Sequence, residues 1–82
     1  MLMEVDMKAL IELMAKYLVD KPEEVTVSAV DGERTAIFGL CVAKSDIGKV
    51  IGKQGNTAHA MRTILSAVGA KLDKRCVLEI LD

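Results

Sequence analysis

The chain predicts an α+β fold in which three helices cover one face of a three-stranded mixed sheet. Two patterns carry that prediction. Apolar residues recur every three to four positions in three segments and every second position in three others, the two spacings that place side chains on one side of a helix or of a strand. Their order along the chain is helix, strand, strand, helix, helix, strand, and a sheet with one apolar face needs helices to cover it.

Met7, Leu10, Ile11, Met14 and Leu18, joined by Tyr17, repeat at helical spacing behind Asp6, which predicts a first helix with Asp6 as its N-cap. Glu12 and Lys16 form an i,i+4 pair in the favourable orientation. The Met and Leu stripe is read as core. Pro22 excludes Lys21 from helical backbone, so the helix should end at Lys21-Pro22. Val25 to Val30 alternates and is rich in β-branched residues, as expected for a strand with one wet face. Asp31-Gly32-Glu33-Arg34 is the turn to a second strand from Thr35 to Ala43. Its two faces, Phe38, Leu40 and Val42 against Ile37, Gly39 and Cys41, are both apolar, which predicts a central position. Ser45 is the expected cap of a short helix carrying Ile47, Val50 and Ile51. Asn56 is the expected cap of a longer one with Ala58, Met61, Leu65, Val68 and Leu72 inward. Gly69 is expected to terminate that helix, and Arg75 to Leu81 forms the last strand with Cys76, Leu78 and Ile80 on one face.

Between the second and third helical segments runs Gly48-Lys49-Val50-Ile51-Gly52-Lys53-Gln54-Gly55. Two glycines flanking two polar residues let backbone N–H groups approach a phosphodiester without hindrance from a Cβ. Lys53 would be the phosphate ligand, with Gln54 and Asn56 as neutral donors, and the positive end of the following helix adds to the field. Val50 is assigned to the core, while Ile47 and Ile51 can serve either core packing or a groove for bases.

The run Val50 to Gly55 resembles the core motif of the KH domain, whose Gly-x-x-Gly loop grips the backbone of about four nucleotides. The order of elements is similar to the type II KH topology, α-β-β-α-α-β. Leu18 to Glu23 and Leu65 to Arg75 look like the small single-domain bacterial KH proteins of the KhpA type, so the resemblance spans residues 7 to 82 of a single domain, 1 to 82. It implies a protein that clamps single-stranded RNA through Ile47, Gly48, Lys49, Ile51, Gly52, Lys53, Gln54, Gly55 and Asn56, as an RNA chaperone or post-transcriptional regulator of weak specificity. It also implies possible partners, a second copy of the chain or a larger KH-containing protein of the Jag type, and pairing through the KH scaffold is the alternative function. Ala58 departs from the pattern, since many KH domains carry a larger aliphatic residue there.

A chain of 82 residues has room for one domain and buries only about 60–65% of its unfolded surface. No apolar run is long enough to span a membrane, and Met1 to Asp6 carries acids where a secretory signal would carry bases, so a cytoplasmic location is expected. Net charge is −1, yet residues 1–43 hold four bases and eight acids while residues 44–75 hold seven bases and two acids. The half with the glycine corner is the basic half, and a polyanion responds to the local field. Lys44, Lys49, Arg62, Lys71, Lys74 and Arg75 form either a steering field or a solvated surface, and each taken singly reads as solvated surface.

Several function classes are excluded. Tyr17 and Phe38 are the only aromatics, too few for modules that stack bases on exposed rings. The glycine corner departs from a P-loop in spacing and has Gln54 where Mg²⁺ binding needs Ser or Thr. His59, the sole histidine, has no triad partner nearby in sequence, so no catalytic residue is assigned. Cys41 and Cys76 are widely separated and lie in apolar strand patterns, which suits reduced, buried thiols; no metal or other cofactor is expected.

Overall fold

A computed structural model of the protein describes residues 6–81; the acidic start read as lacking a secretory signal lies, apart from Asp6, outside the described residues. Helix α1 runs Met7–Leu18, and the Asp6 carboxylate caps it by accepting the Ala9 N–H at 3.1 Å. Met7, Ile11 and Ala15 are buried beneath it, with Leu10, Met14 and Leu18 packed at the margin. Tyr17, grouped with that stripe by spacing, is 84% exposed and turns to solvent. The helix stops at Leu18, earlier than Pro22 alone requires, and Pro22–Glu24 form a 3₁₀ turn. Glu12 and Lys16 lie 3.8 Å apart on the outer face.

Strands β1 (Thr26–Asp31), β2 (Thr35–Cys41) and β3 (Arg75–Leu81) form one sheet in the order β1-β2-β3. β1 pairs with β2 antiparallel and β2 with β3 parallel, so the sheet is mixed and β2 is central, as its two apolar faces require. Register places Val27, Leu40 and Ile80 in one row and Ala29, Phe38 and Leu78 in the next. These rows face the helices, and Leu40, Phe38 and Leu78 are buried. The opposite face carries the row Val30, Ile37 and Val77, with Val30 and Ile37 exposed. β2 ends at Cys41, two residues short of the expected Ala43, because the chain turns there into the 3₁₀ segment Lys44–Asp46.

Helix α2 is short, Ile47–Ile51, and α3 runs Asn56–Lys71. α3 buries Ala58, Met61, Leu65 and Gly69, while Leu72 lies past its end and is 43% exposed. Gly69 does not terminate the helix. A Cβ there would stand 2.6 Å from the Lys74 carbonyl and 2.9 Å from Cys76 Sγ, so its role is to let β3 start close against α3. The left-handed residue after the helix is Asp73, at φ 57°. Among the described residues Ile11, Leu40, Leu65 and Val50 have almost no solvent exposure, and truncating a side chain of this kind to Ala costs about 2–5 kcal/mol.

The two cysteines are free and half-buried on opposite faces of the sheet, Cys41 on the open face and Cys76 beneath α1 with its Sγ 3.3 Å from Met7 Sδ. Burial, with Asp31 adding to it and Lys74 opposing it, raises the Cys76 pKa above its ordinary value, which keeps the thiol protonated.

Candidate nucleic-acid interface

The glycine corner joins α2 to α3. Gly52 ends α2 at φ 78°, ψ 175°, and Lys53–Gly55 make a single 3₁₀ turn before α3 begins. Gln54 and Gly55 are both left-handed, at φ 57° and 77°. Three unusual conformations within four residues, at Gly52, Gln54 and Gly55, turn the chain sharply, and Lys53 and Gln54 at the middle of the corner are exposed. Gly48, Lys49, Ile51 and Asn56 are exposed as well, whereas Ile47, Gly52 and Gly55 are partly buried.

Two of the four corner amides are occupied: Gly52 N–H donates to the Gly48 carbonyl at 2.9 Å and Gly55 N–H to the Gly52 carbonyl at 3.1 Å. The N–H groups of Lys53 and Gln54 have no backbone acceptor among the described residues. The glycines serve different ends. A Cβ on Gly52 would stand 2.1 Å from Thr57 Oγ1, so Thr57 at the start of α3 packs directly against the corner. A Cβ on Gly55 would meet nothing within 4 Å, so Gly55 supplies backbone conformation and an open approach.

Neither expected cap is used. Ser45 lies inside the 3₁₀ turn ahead of α2, and Asn56 is the first residue of α3, where its side chain accepts no capping bond. The position before α2 belongs to Asp46, which has no solvent exposure. Its carboxylate accepts the N–H groups of Asp20 at 3.2 Å and Lys21 at 3.0 Å, tying α2 to the chain that leaves α1. Burial pushes the Asp46 pKa up, but those two N–H groups and Lys49, whose Nζ is 3.7 Å away, outweigh it and leave the pKa below its ordinary value. Asp46 escaped the sequence reading because its partners lie 25 and 26 residues away; the one clue was an acid placed ahead of the otherwise basic helix-and-corner run.

That depressed pKa has a consequence for stability. A carboxylate with a lowered folded-state pKa contributes fully above its unfolded value, and the contribution disappears as pH falls through the folded value. Urea unfolding of the wild type and Asp46→Asn should therefore differ most near neutral pH, and the difference should narrow only below the ordinary carboxylate value of 3.8. A difference constant down to pH 2.5 would mean that the carboxylate charge is not what holds α2.

Lys49 is also engaged. Its Nζ lies 3.1 Å from Asp20 Oδ2, and Asp20, with Asp46 behind it, raises the Lys49 pKa. Lys74 pairs with Asp31. The basic field of residues 44–75 is thus smaller than its formal count, and Lys53 at the tip has no ion pair among the described residues.

Of the apolar candidates, Val50 has no solvent exposure and Ile51 is 40% exposed beside the corner. Along the other flank of α3 a groove of about 440 Å³ runs to β3, lined by Arg62, Ser66, Lys74, Arg75 and Leu78 among others. Arg62 Nε donates across it to the Leu78 carbonyl at 3.2 Å, placing a guanidinium on the edge of the sheet. No cluster of three or more His, Cys, Asp or Glu suited to a metal exists among the described residues, and no described helix is long and apolar enough to cross a membrane.

Comparison with known proteins agrees with this architecture. The crystal structure of Aquifex aeolicus Era bound to GDP.AlF4- contains a region of the same fold, at a TM-score of 0.58 with 16% identity, covering 98% of this chain and 32% of that one. The RNA-binding protein KhpA of Aquifex aeolicus is 51% identical over 76 residues, 93% of this chain and 96% of its own. The RNA-binding protein KhpA of Clostridium acetobutylicum is 55% identical over 75 residues, 92% of this chain and 100% of its own. The profile of the KhpA/KhpB KH domain matches residues 8–80. With that match and those relatives, the chain belongs to the KhpA/KhpB KH-domain family.

Proposed function

We propose that this protein binds single-stranded RNA by seating the sugar–phosphate backbone on the Gly52–Gly55 corner. The observation that carries the reading is the pair of unoccupied amides on Lys53 and Gln54, presented on an exposed turn beside an ammonium with no ion pair among the described residues. Main-chain donors and a cation on one exposed turn suit an anion, and the N-terminus of α3 adds its dipole. The relatives named as RNA-binding proteins support RNA as the polyanion. Asn56 and Gly48 flank the phosphate path, and Ile47 and Ile51 offer aliphatic contact to bases. Arg62 and Arg75 line a separate groove between α3 and β3.

Affinity through one such corner is modest and tolerant of sequence, because backbone contacts position a strand without reading it. That suits an RNA chaperone or post-transcriptional regulator in the cytoplasm. If two to four phosphates are neutralised, log K for a single-stranded oligoribonucleotide should fall against log salt with a slope of about −1.4 to −2.8. Fluorescence anisotropy across a salt series measures it, and a slope near zero would exclude phosphate contacts.

Pairing of the KH scaffold with itself or with a larger Jag-type KH protein accompanies this reading. It is supported by the apolar groove of about 360 Å³ between α1 and α3, where Leu13, Tyr17 and Ile64 are exposed. Two corners in one assembly would raise the apparent affinity for a longer strand.

A further inference from the structure

Lys49 stands one turn before the corner, yet its ammonium is directed to Asp20 and Asp46. Asp46 is buried and doubly bound by backbone N–H groups, so it is a fixed part of the fold. Asp20 is different. Its side chain is 75% exposed, the Lys49 side chain is 46% exposed, and among the described residues the Asp20 carboxylate has no other partner. An exposed pair of this kind is weak and exchanges readily with solvent. A carboxylate oxygen and a phosphodiester oxygen also offer an ammonium the same chemistry, a charged acceptor at hydrogen-bond distance.

We propose that Lys49 is a second phosphodiester ligand held in reserve by Asp20, and that an RNA strand gripped at the corner takes the Lys49 ammonium over from the Asp20 carboxylate. The inference rests on the corner being the RNA site. Three residues, about 4.5 Å of helical rise, separate Lys49 from Gly52, a span within reach of its flexible four-carbon stem. Because Asp46 stays bound to the Asp20 and Lys21 amides, the exchange leaves α2 in place. Asp20 thereby lowers RNA affinity in the free protein and limits adventitious binding of other anions.

The test uses the intact chain and a fluorescein-labelled oligouridylate, with amide spectra confirming the fold of each variant. Asp20→Asn should tighten binding about threefold, the effect of relieving one exposed ion pair. Lys49→Gln should weaken binding and reduce the magnitude of the salt slope by about 0.7, the value for one phosphate contact on a single strand. The double variant should bind as Lys49→Gln does, because without the ammonium Asp20 has nothing to withhold. Glu23→Gln, an exposed acid with no ion pair among the described residues, controls for net charge and should leave affinity unchanged. The proposal is overturned if Asp20→Asn has no effect, if it acts equally in the Lys49→Gln background, or if Glu23→Gln matches it. Should Lys49→Gln fail to fold, the comparison of Asp20→Asn with Glu23→Gln still decides. A Lys53→Asp, Gln54→Asp pair run in parallel separates the two readings. Lost binding in that pair with a silent Asp20 overturns only the reserve role, and retained binding overturns the corner itself.

Discussion

Replacing Lys53 and Gln54 together by Asp should weaken binding of single-stranded RNA about 100-fold, roughly 2.7 kcal/mol, while leaving the fold intact. The size follows from what changes at the tip. One charge-assisted contact is lost, and two carboxylates take the place of an ammonium and an amide at the point where phosphate oxygens would approach. The fold should survive because both side chains are exposed and make no hydrogen bond or ion pair among the described residues. The left-handed Gln54 position also accommodates Asp comparatively well. Gel shift against a labelled oligoribonucleotide, with circular dichroism as the fold control, measures the effect. Unchanged binding by a folded double variant would move the RNA site elsewhere on the protein.

The second large effect concerns the corner's construction. Gly52→Ala should destabilise the protein by about 2–4 kcal/mol, and Gly55→Ala by only about 1 kcal/mol. Both glycines have positive φ, but Gly52 combines it with ψ 175°, a region essentially closed to other residues. An added methyl would also stand 2.1 Å from Thr57 Oγ1, 2.6 Å from Thr57 Cβ and 2.9 Å from the Thr57 backbone nitrogen. Relief would require the start of α3 to shift away from α2. At Gly55 the space is open and only the left-handed backbone resists. Urea unfolding of the two variants side by side tests this. Equal costs would show that backbone strain alone, and not packing against Thr57, sets the requirement for glycine.

How far the sequence predicts this structure depends on the range of the interactions involved. Periodic features are local and were legible. The Met7 and Ile11 side of α1, the alternation of β1 and β3 and the two apolar faces of the central β2 follow from spacing alone, whereas Ala15, also buried under α1, was not picked out. The Asp6 cap was legible too, because its acceptor and donor lie three residues apart. Ser45 and Asn56 misled for a related reason. Both residue types favour caps, but the 3₁₀ turns Lys44–Asp46 and Lys53–Gly55 displace the helix starts past them. Gly69 reads as a helix end, yet its cause is the approach of Lys74 and Cys76, which no local pattern reveals.

At the corner, the glycines and Lys53 could be picked out, whereas the state of Lys49 could not. Counting bases between residues 44 and 75 treats Lys49 and Lys74 as free, but Asp20 and Asp31 reach them from distant parts of the chain. Asp46 is the extreme case, a charged residue buried at the start of α2 whose partners come from the end of α1. Long-range electrostatics, more than secondary structure, separates the basic segment seen in the sequence from the charge available at the site.

The most direct test of the proposed interface is an amide chemical-shift titration of the ¹⁵N-labelled protein with single-stranded oligouridylate. The Lys53 and Gln54 amides should move first and farthest, followed by Gly52, Gly55 and the first turn of α3. Saturable shifts confined to the open sheet face or to the groove between α1 and α3, with Lys53 and Gln54 unmoved, would contradict the account.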